Sequence, residues 1–281
     1  MIELGAARYG KAGVRLMRVD RSTTPHRVRD LTVAVALEGD FVAAHTDGDN
    51  ALVVATDTMK NTAYAFAKEH LDGAIETYGQ ALAEHFLAFP QVSRATVNVR
   101  EHSWRPISYG GAAAQDAFVR SGVGTRVATI SATGDGVLVE AGVEDLIVLK
   151  TTRSSFEGFP RDRYTTLSDT DDRMAATKLT AIWQYGSPDV DADASFEAIR
   201  TSLLETWADH ESPSIQTSIW IMAGVILERH DEVQEIRMVL PNLHHWLVDL
   251  SPFGLTNERE IYTPTIEPFG LIEATVRRSE A

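Results

Sequence analysis

The stretch from Leu240 to Leu250 combines an amide, two adjacent imidazoles and a carboxylate, groups that can bind a polar ligand or move a proton. Asn242 lies two positions before His244, and His245 follows directly. Imidazole is a common metal ligand, so the pair first suggests a metal site. The alternating apolar residues just before the pair predict a strand, however, and adjacent side chains on a strand point to opposite faces. The two histidines cannot easily share one ion, and we expect no metal site.

Other chemically useful groups are spread along the chain, and each also has a simpler explanation. An isolated Lys is usually a solvated surface cation, and Thr or Asp at a helix start is usually a cap. An aromatic loop can be a hydrophobic plug, an Arg can pair with acidic neighbours, and a Gln in a first helical turn is ordinarily exposed. Taken singly, each clue is weak. The residues concerned are Lys11, Thr56, Asp57, Phe156, Arg173, Ile215 and Gln216.

The elements that must position these groups follow a repeating order. In the first half, alternation around residues 14–19 and 31–37 predicts an antiparallel ribbon, and helical spacing then predicts two helices between residues 61 and 89. A strand follows from Val92 towards Trp104. The first half is therefore predicted as strands, then two helices, then strands.

The second half is predicted to repeat this order. Strands at residues 127–131 and 137–149 precede helices around 196–207 and 215–226, and strands follow at 236–240, 243–250 and 271–276. The segment from Val92 to Trp104 resembles that from Val233 to Trp246, with a His two positions before each Trp. This weak echo indicates duplication. We place the boundary near residue 122, giving units 1–122 and 123–281.

Composition excludes several classes of function. The 281 residues include 40 acidic and 26 basic ones, for a formal net charge of -14, so nucleic acid and anionic membranes are unexpected partners. The chain has no cysteine, which removes disulfides, thiolate metal sites and cysteine nucleophiles. Without an apolar leader, a membrane-length apolar run or a Ser-Lys-Leu ending, we expect a cytoplasmic location.

Five motifs, taken in order, resemble the urate oxidase (uricase) family. They are Tyr9-Gly10-Lys11, the run from Val53 to Thr62, the loop from Gly158 to Leu167, Leu240-Pro241-Asn242-Leu243-His244 and the run from Gly270 to Val276. The likeness extends over nearly the whole chain, with residues 91–121 the least well matched. It implies an α+β fold of two tandem T-fold (tunnelling-fold) units, each an antiparallel four-stranded sheet with two helices on one face. It also implies a homotetramer that forms a tunnel-shaped barrel, with active sites at subunit interfaces.

The resemblance implies a role for each candidate residue in oxidising urate with dioxygen and no cofactor. Arg173 and Gln216 would clamp the purine, Phe156 would stack on it, and the backbones of Ile215 and Asp57 would add polar contacts. Lys11, Thr56 and His244 would form a proton relay, with Thr56 also touching substrate, and Asn242 would hold oxygen or water over the ring. The resemblance thus implies catalytic roles for Lys11, Thr56 and His244, and substrate-binding roles for Thr56, Asp57, Phe156, Arg173, Ile215, Gln216 and Asn242.

Two departures and two alternatives accompany this hypothesis. Leu243 stands where the family often has Lys, and Ile215 where Val is common. The family also often extends past the last strand, so the short C-terminal tail leaves tetramer contacts open. The alternatives are another T-fold purine or pterin enzyme, whose zinc-dependent forms the missing cysteines disfavour, and a non-catalytic purine-binding protein, which the presence of both Lys11 and Thr56 disfavours.

Overall fold

The computed structural model describes residues 2–122 and 124–279. Contacts divide the chain into two compact units. Unit 1 comprises Met1–Gly142 and Gln184–Phe196, and unit 2 comprises Val143–Trp183 and Glu197–Ala281. Antiparallel strands and a small number of helices confirm the expected α+β class. No helix in the described ranges is long and apolar enough to cross a membrane.

Unit 1 contains a sheet, a separate hairpin and three helices. The sheet has the neighbour order β1-β2-β3-β6-β7, and β4 pairs with β5 in the hairpin. The chain passes into unit 2 within β7 and returns briefly within β8 and the start of α4. The elements of this part of the chain are β1 (Tyr9–Asp20), β2 (Arg27–Gly39), α1 (Val42–Thr46), α2 (Thr56–His70), α3 (Ile75–Leu87), β3 (Val92–Glu101), β4 (Trp104–Tyr109), β5 (Ala112–Arg120), β6 (Thr125–Thr133) and β7 (Gly136–Lys150).

Alternating burial explains how this sheet forms its core. Leu31, Val33, Val35 and Leu37 of β2 are all essentially inaccessible to solvent, as period-two patterning requires when one face is covered. Helix α3 packs against β3 and β6, and α2 packs against β1 and α3. The predicted ribbon and helix pair are therefore confirmed, with α2 beginning at Thr56 rather than near residue 61.

In unit 2, as in unit 1, helices pack against the strands. Its strands are neighbours in the order β7-β8-β9-β10, and α5 packs against β9 and β10. A short 3₁₀ turn at Ser251–Phe253 separates the last two strands. The remaining elements are β8 (Ala175–Tyr185), α4 (Ala192–Asp209), α5 (Ile215–Arg229), β9 (Val233–Leu247) and β10 (Tyr262–Arg277).

The strand predicted at residues 127–131 is β6, and it pairs with β3 within unit 1. Two other strand predictions differ from the structure. Strand β8 was missed, because its buried face consists partly of Ala and Thr, which give a weak hydrophobic signal. Residues 243–250 are no separate strand, since β9 runs without interruption to Leu247.

The boundary proposed near residue 122 adjoins Val123, which lies outside the described residues. The contact-defined units do not divide there. They are defined by packing, whereas the boundary was placed between repeated segments, and it stays a proposal on that basis.

A buried ion-pair network holds the start of α4 against the rest of unit 1. Arg126 on β6 donates to Glu76 at 2.6 Å and to Asp193 at 2.6 Å, and its guanidinium lies over the ring of Phe196. The side chains of Arg126 and Glu76 are 7% and 4% exposed. Burial raises the pKa of Glu76, and the charge of Arg126 opposes that rise. The carboxylate therefore depends on Arg126.

We predict that Arg126→Met destabilises the protein by about 3–5 kcal/mol, because it leaves a carboxylate buried without its partner. Arg94→Met is the matched control, since the Arg94–Glu38 pair lies on the surface and should contribute less than about 1 kcal/mol. Denaturant unfolding of both variants measures the difference. Equal losses for the two variants would contradict the role given to the buried pair.

Candidate active site

The predicted site residues lie in two clusters, one within each unit. The unit 1 cluster contains Lys11, Thr56 and Asp57, and the unit 2 cluster contains the remaining candidates. Both clusters lie where a helix or strand begins or is interrupted. The polar side chains at these positions are therefore not packed into the core.

Lys11 is held between two backbone irregularities on β1. A Cβ on the preceding Gly10 would lie 1.9 Å from the carbonyl oxygen of Val35, so only glycine permits the close approach of β1 to β2. The β1–β2 register then shifts between Lys11 and Val14, where Gly13 has a φ of +68°. This bulge redirects the strand next to Lys11, whose side chain is half-buried.

Tyr9 ties the start of β1 to the segment that precedes α2. Its hydroxyl accepts from the Val54 amide at 2.8 Å and donates to the Val54 carbonyl at 3.2 Å. Its ring packs edge-on against Phe41. Since Thr56 follows two residues after Val54 and is the first residue of α2, this link fixes Lys11 and Thr56 relative to each other.

The first turn of α2 has no side-chain cap bond and contains a charged cluster. The cap position is Ala55 and makes no side-chain cap bond, so the simple capping explanation for Thr56 is wrong. Asp57 accepts from Lys60 and, at 3.0 Å, from Asn61. These bonds and the charge of Lys60 lower the pKa of Asp57, and the charge of Lys11 contributes to the same shift. Lys11, Thr56 and Asp57 therefore form one cluster.

In unit 2, backbone hydrogen bonds bring Phe156 to two other segments. Phe156 exchanges amide bonds with Thr170 at 2.8 and 3.1 Å, and Ser155 donates to the carbonyl of Ser212 at 2.9 Å. Residue 170 leads to Arg173, and residue 212 leads to α5. The ring of Phe156 is half-buried, so it is not the closed hydrophobic plug considered from the sequence.

Arg173 projects over this aromatic ring, and no acidic side chain among the described residues pairs with it. Its amide donates to Ser154 at 2.7 Å, and its Cζ lies 5.2 Å from the centre of the Phe156 ring. Burial lowers the pKa of Arg173. Its buried Nε has no hydrogen-bond partner in the described ranges, and no carboxylate there forms a salt bridge with it.

The neighbouring acids do not explain Arg173. Asp172 accepts from the Thr152 hydroxyl at 2.9 Å and from the Arg153 amide at 2.8 Å. It also lies 3.6 Å from Arg259. Its carboxylate is engaged elsewhere, so the arginine is left available for a planar ligand that can accept two hydrogen bonds.

Helix α5 begins at Ile215, as predicted, and its Ser214 cap does not involve the side chain of Gln216. Ser214 accepts from the Thr217 amide at 3.1 Å. Ile215 is buried and anchors the turn, whereas Gln216 is exposed. The amide of Gln216 therefore extends from a fixed helix start that is linked through Ser212 to Phe156.

Asn242 and His244 continue one face of β9 beyond its buried part. Ile236, Met238 and Leu240 are fully buried, and period-two geometry places Asn242 and His244 on the same side of the strand. Opposite them, the register of β10 shifts between Thr265 and Gly270, which pairs with Asn242. The extra residues of this shift open the ladder beside the two polar side chains.

His244 is electrostatically coupled to Arg173. Burial lowers the pKa of His244, and the positive charges of Arg173 and His245 lower it further. His245 points to the other face of the strand, as expected, and its Nδ1 bonds to the carbonyl of Leu243 at 3.1 Å. No group of three or more His, Asp or Glu side chains in the part of the chain described here is arranged to hold a metal ion.

Sequence reasoning missed the residues that connect these segments. Thr170 and Ser212 act through backbone atoms and Tyr9 through a distant carbonyl, so side-chain chemistry gives no sign of them. A local signal near Ser212 was Ser214, a residue type typical of the N-cap position of a helix.

Comparison with known proteins places the chain in a family. The uricase family profile matches residues 7–131 and 139–273. A uricase from Arthrobacter globiformis is 44% identical over 278 residues, covering 99% of this chain and 90% of that protein. A uricase from Dictyostelium discoideum is 38% identical, covering 98% and 97%. The crystal structure of the Arthrobacter globiformis uricase matches with a TM-score of 0.94 at 43% identity, covering 100% of this chain and 97% of the other. The chain therefore belongs to the uricase family.

Proposed function

We propose that this protein is a cofactor-independent urate oxidase. The observation that carries the proposal is the half-buried guanidinium of Arg173, which lies over the Phe156 ring without an acidic partner in the described ranges, in a chain of the uricase family. The reaction is urate + O2 + H2O → 5-hydroxyisourate + H2O2. Urate loses two electrons and dioxygen gains them, while water supplies the oxygen that is added to the ring.

Binding uses the unit 2 cluster. The urate ring stacks on the face of Phe156, where an apolar aromatic surface matches a flat ring. Arg173 pairs with a ring carbonyl and nitrogen through its planar fork, and the Gln216 amide supplies a donor and an acceptor on the other side. The backbone of Ile215 adds a polar contact. The substrate anion neutralises a charge that is already partly withdrawn from water.

Proton transfer and oxygen positioning use both clusters. Lys11 draws a proton through the hydroxyl of Thr56, and His244 extends the relay. Thr56 and the backbone of Asp57 also contact the substrate, at the start of α2 where free amides favour an anion. Asn242 holds oxygen, peroxide or water above the ring. Leu243 stands where the family often has Lys, so this chain lacks that positive charge. The side chains proposed for proton transfer and oxygen positioning are all still present.

Assembly into a homotetramer would combine the two clusters. Strands β1 and β10 each have one hydrogen-bonded neighbour among the described strands, so each leaves an open edge. Ile266 and Leu271 of β10 are 75% and 61% exposed, which is costly for an edge strand without a partner. We propose that edges of different chains pair to close a tunnel-shaped barrel. The active site then takes its unit 1 cluster from one chain and its unit 2 cluster from another.

The cytoplasmic location, and the lack of nucleic-acid and membrane partners, stay predictions. The net charge of -14 supports the second of these, because it repels phosphate backbones and anionic lipid surfaces.

We predict that protein treated with a chelator and desalted consumes urate and produces one equivalent of peroxide, with no gain from added zinc, iron or copper. The reason is that deprotonated urate can reduce dioxygen directly when the protein holds the two molecules next to each other. Urate absorbance and peroxide are followed in the same sample.

The outcomes separate the alternatives. Activity that returns only with a metal would reject the metal-free mechanism. Urate binding without consumption would favour the non-catalytic purine-binding protein, and turnover of another purine or a pterin but not urate would favour a different T-fold enzyme.

The depressed pKa of His244 predicts a specific pH dependence. Above its pKa, which lies below the ordinary value of 6.5, His244 is neutral and can accept a proton. Protonation at lower pH removes this ability, so the advantage in kcat/KM of wild type over His244→Gln should be constant above pH 6.5 and shrink as the pH falls further. The ratio cancels the ionisation of urate itself.

His245→Gln is the matched control for this experiment, since His245 faces away from the site. Its ratio to wild type should vary with pH much less than that of His244→Gln, because His245 is the smallest of the three causes that lower the pKa of His244. A constant ratio for His244→Gln, or a similar change for both variants, would remove His244 from the proton relay.

A further inference from the structure

A stack of four side chains extends from the candidate site into the loop that follows Phe156. Phe159 stacks on Phe156 with ring centres 4.9 Å apart and planes only 11° from parallel. Arg161 covers Phe159, with its Cζ 4.7 Å from the ring centre. Arg173 lies over Phe156 at 5.2 Å. The two rings therefore stack on each other, and a guanidinium lies close to each of them.

Asp169 links this group of side chains to the backbone on either side of Phe156. Its carboxylate accepts from the amide of Gly158 at 3.1 Å and lies 3.1 Å from Nη2 of Arg161. The adjacent residue, Thr170, exchanges two backbone bonds with Phe156. Arg161 also donates to the carbonyl of Leu167 at 2.8 Å. Both ends of the loop are thus connected to the same aromatic pair.

This arrangement restrains the ring of Phe156. An aromatic side chain on a loop would otherwise rotate about its χ angles, and each immobilised side chain adds to the entropic cost of binding. Phe159 occupies one face of Phe156, so a ligand ring that stacks on Phe156 must use the opposite face. Arg161, which pairs with Asp169, packs over the ring of Phe159 and restrains it.

We infer that Phe159 and Arg161 are positioning residues for substrate stacking, which they support without touching the substrate. This inference rests on the proposed function, because it takes urate as the ring that stacks on Phe156. Its expected signature is a change in urate affinity with little change in the rate of the chemical step, since neither residue contacts the reacting atoms.

The same loop contains a matched control pair outside the stack. Arg163 lies over the ring of Tyr164, with its Cζ 4.6 Å from the ring centre, and donates to the Tyr164 hydroxyl. Tyr164 is 72% exposed. Replacing Arg163 therefore removes a similar cation–π contact from the same loop without affecting the stack on Phe156.

The experiment measures urate binding under argon, where turnover lacks its oxidant, together with kcat and KM in air. Phe159→Leu should weaken anaerobic urate binding about three- to tenfold and raise KM by a similar factor, with kcat within about twofold of wild type. Phe159→Tyr should restore the affinity, because it preserves the stacking ring. Arg161→Met should weaken binding about two- to threefold, and Arg163→Met should not change it.

Unchanged urate affinity in both Phe159→Leu and Arg161→Met would overturn the inference. So would a loss of kcat alone, which indicates a smaller fraction of folded enzyme, or an equal effect of Arg163→Met. Failure of the proposed function is distinguishable, because wild type would then not oxidise urate at all. Arg161→Met keeps the test valid if Phe159→Leu does not fold, since Arg161 is half-exposed.

Discussion

The guanidinium of Arg173 is partly withdrawn from water and has no acidic partner among the described residues, and the rest of the candidate site depends on this fact. A buried charge of this kind is unfavourable unless something compensates it. The nearest acid in sequence, Asp172, is engaged by Thr152 and Arg153. The described part of the chain therefore tolerates a partly buried cation at this position without an acidic partner, and an anionic planar substrate is what would compensate it.

The surrounding structure keeps that cation in a defined position. Backbone bonds to residues 154, 170 and 212 hold three segments together, so little of the geometry depends on flexible side chains. The charge of Arg173 also contributes to the lowered pKa of His244, which favours a neutral imidazole able to accept a proton. In unit 1, Lys11 and Asp57 are likewise coupled through charge. The groups proposed for binding and for proton transfer are thus each coupled to a neighbouring charge within their own unit.

The sequence predicted those parts of the fold that strong patterns encode. The β1–β2 ribbon, the helix pairs and the start of α5 follow from alternation, helical spacing and the Ser214 cap. Strand β8 was missed because Ala and Thr on its buried face resemble loop residues. The pairing of β6 with β3 was missed because local pattern contains no information about which strands meet. The roles of the site residues came from motif resemblance, while the contacts that fix them are backbone bonds without a sequence signal.

A site shared between chains can be tested by mixing two inactive variants. Lys11→Met lacks the unit 1 cluster and Arg173→Ala lacks the unit 2 cluster, so each alone should oxidise urate very slowly when urate is well below the wild-type KM. Co-expressed in equal amounts, with two affinity tags to isolate mixed oligomers, they should recover roughly a quarter of wild-type activity, because random pairing joins two intact clusters at one site in four. Activity in the mixed oligomers no higher than that of the separate variants would contradict a shared site.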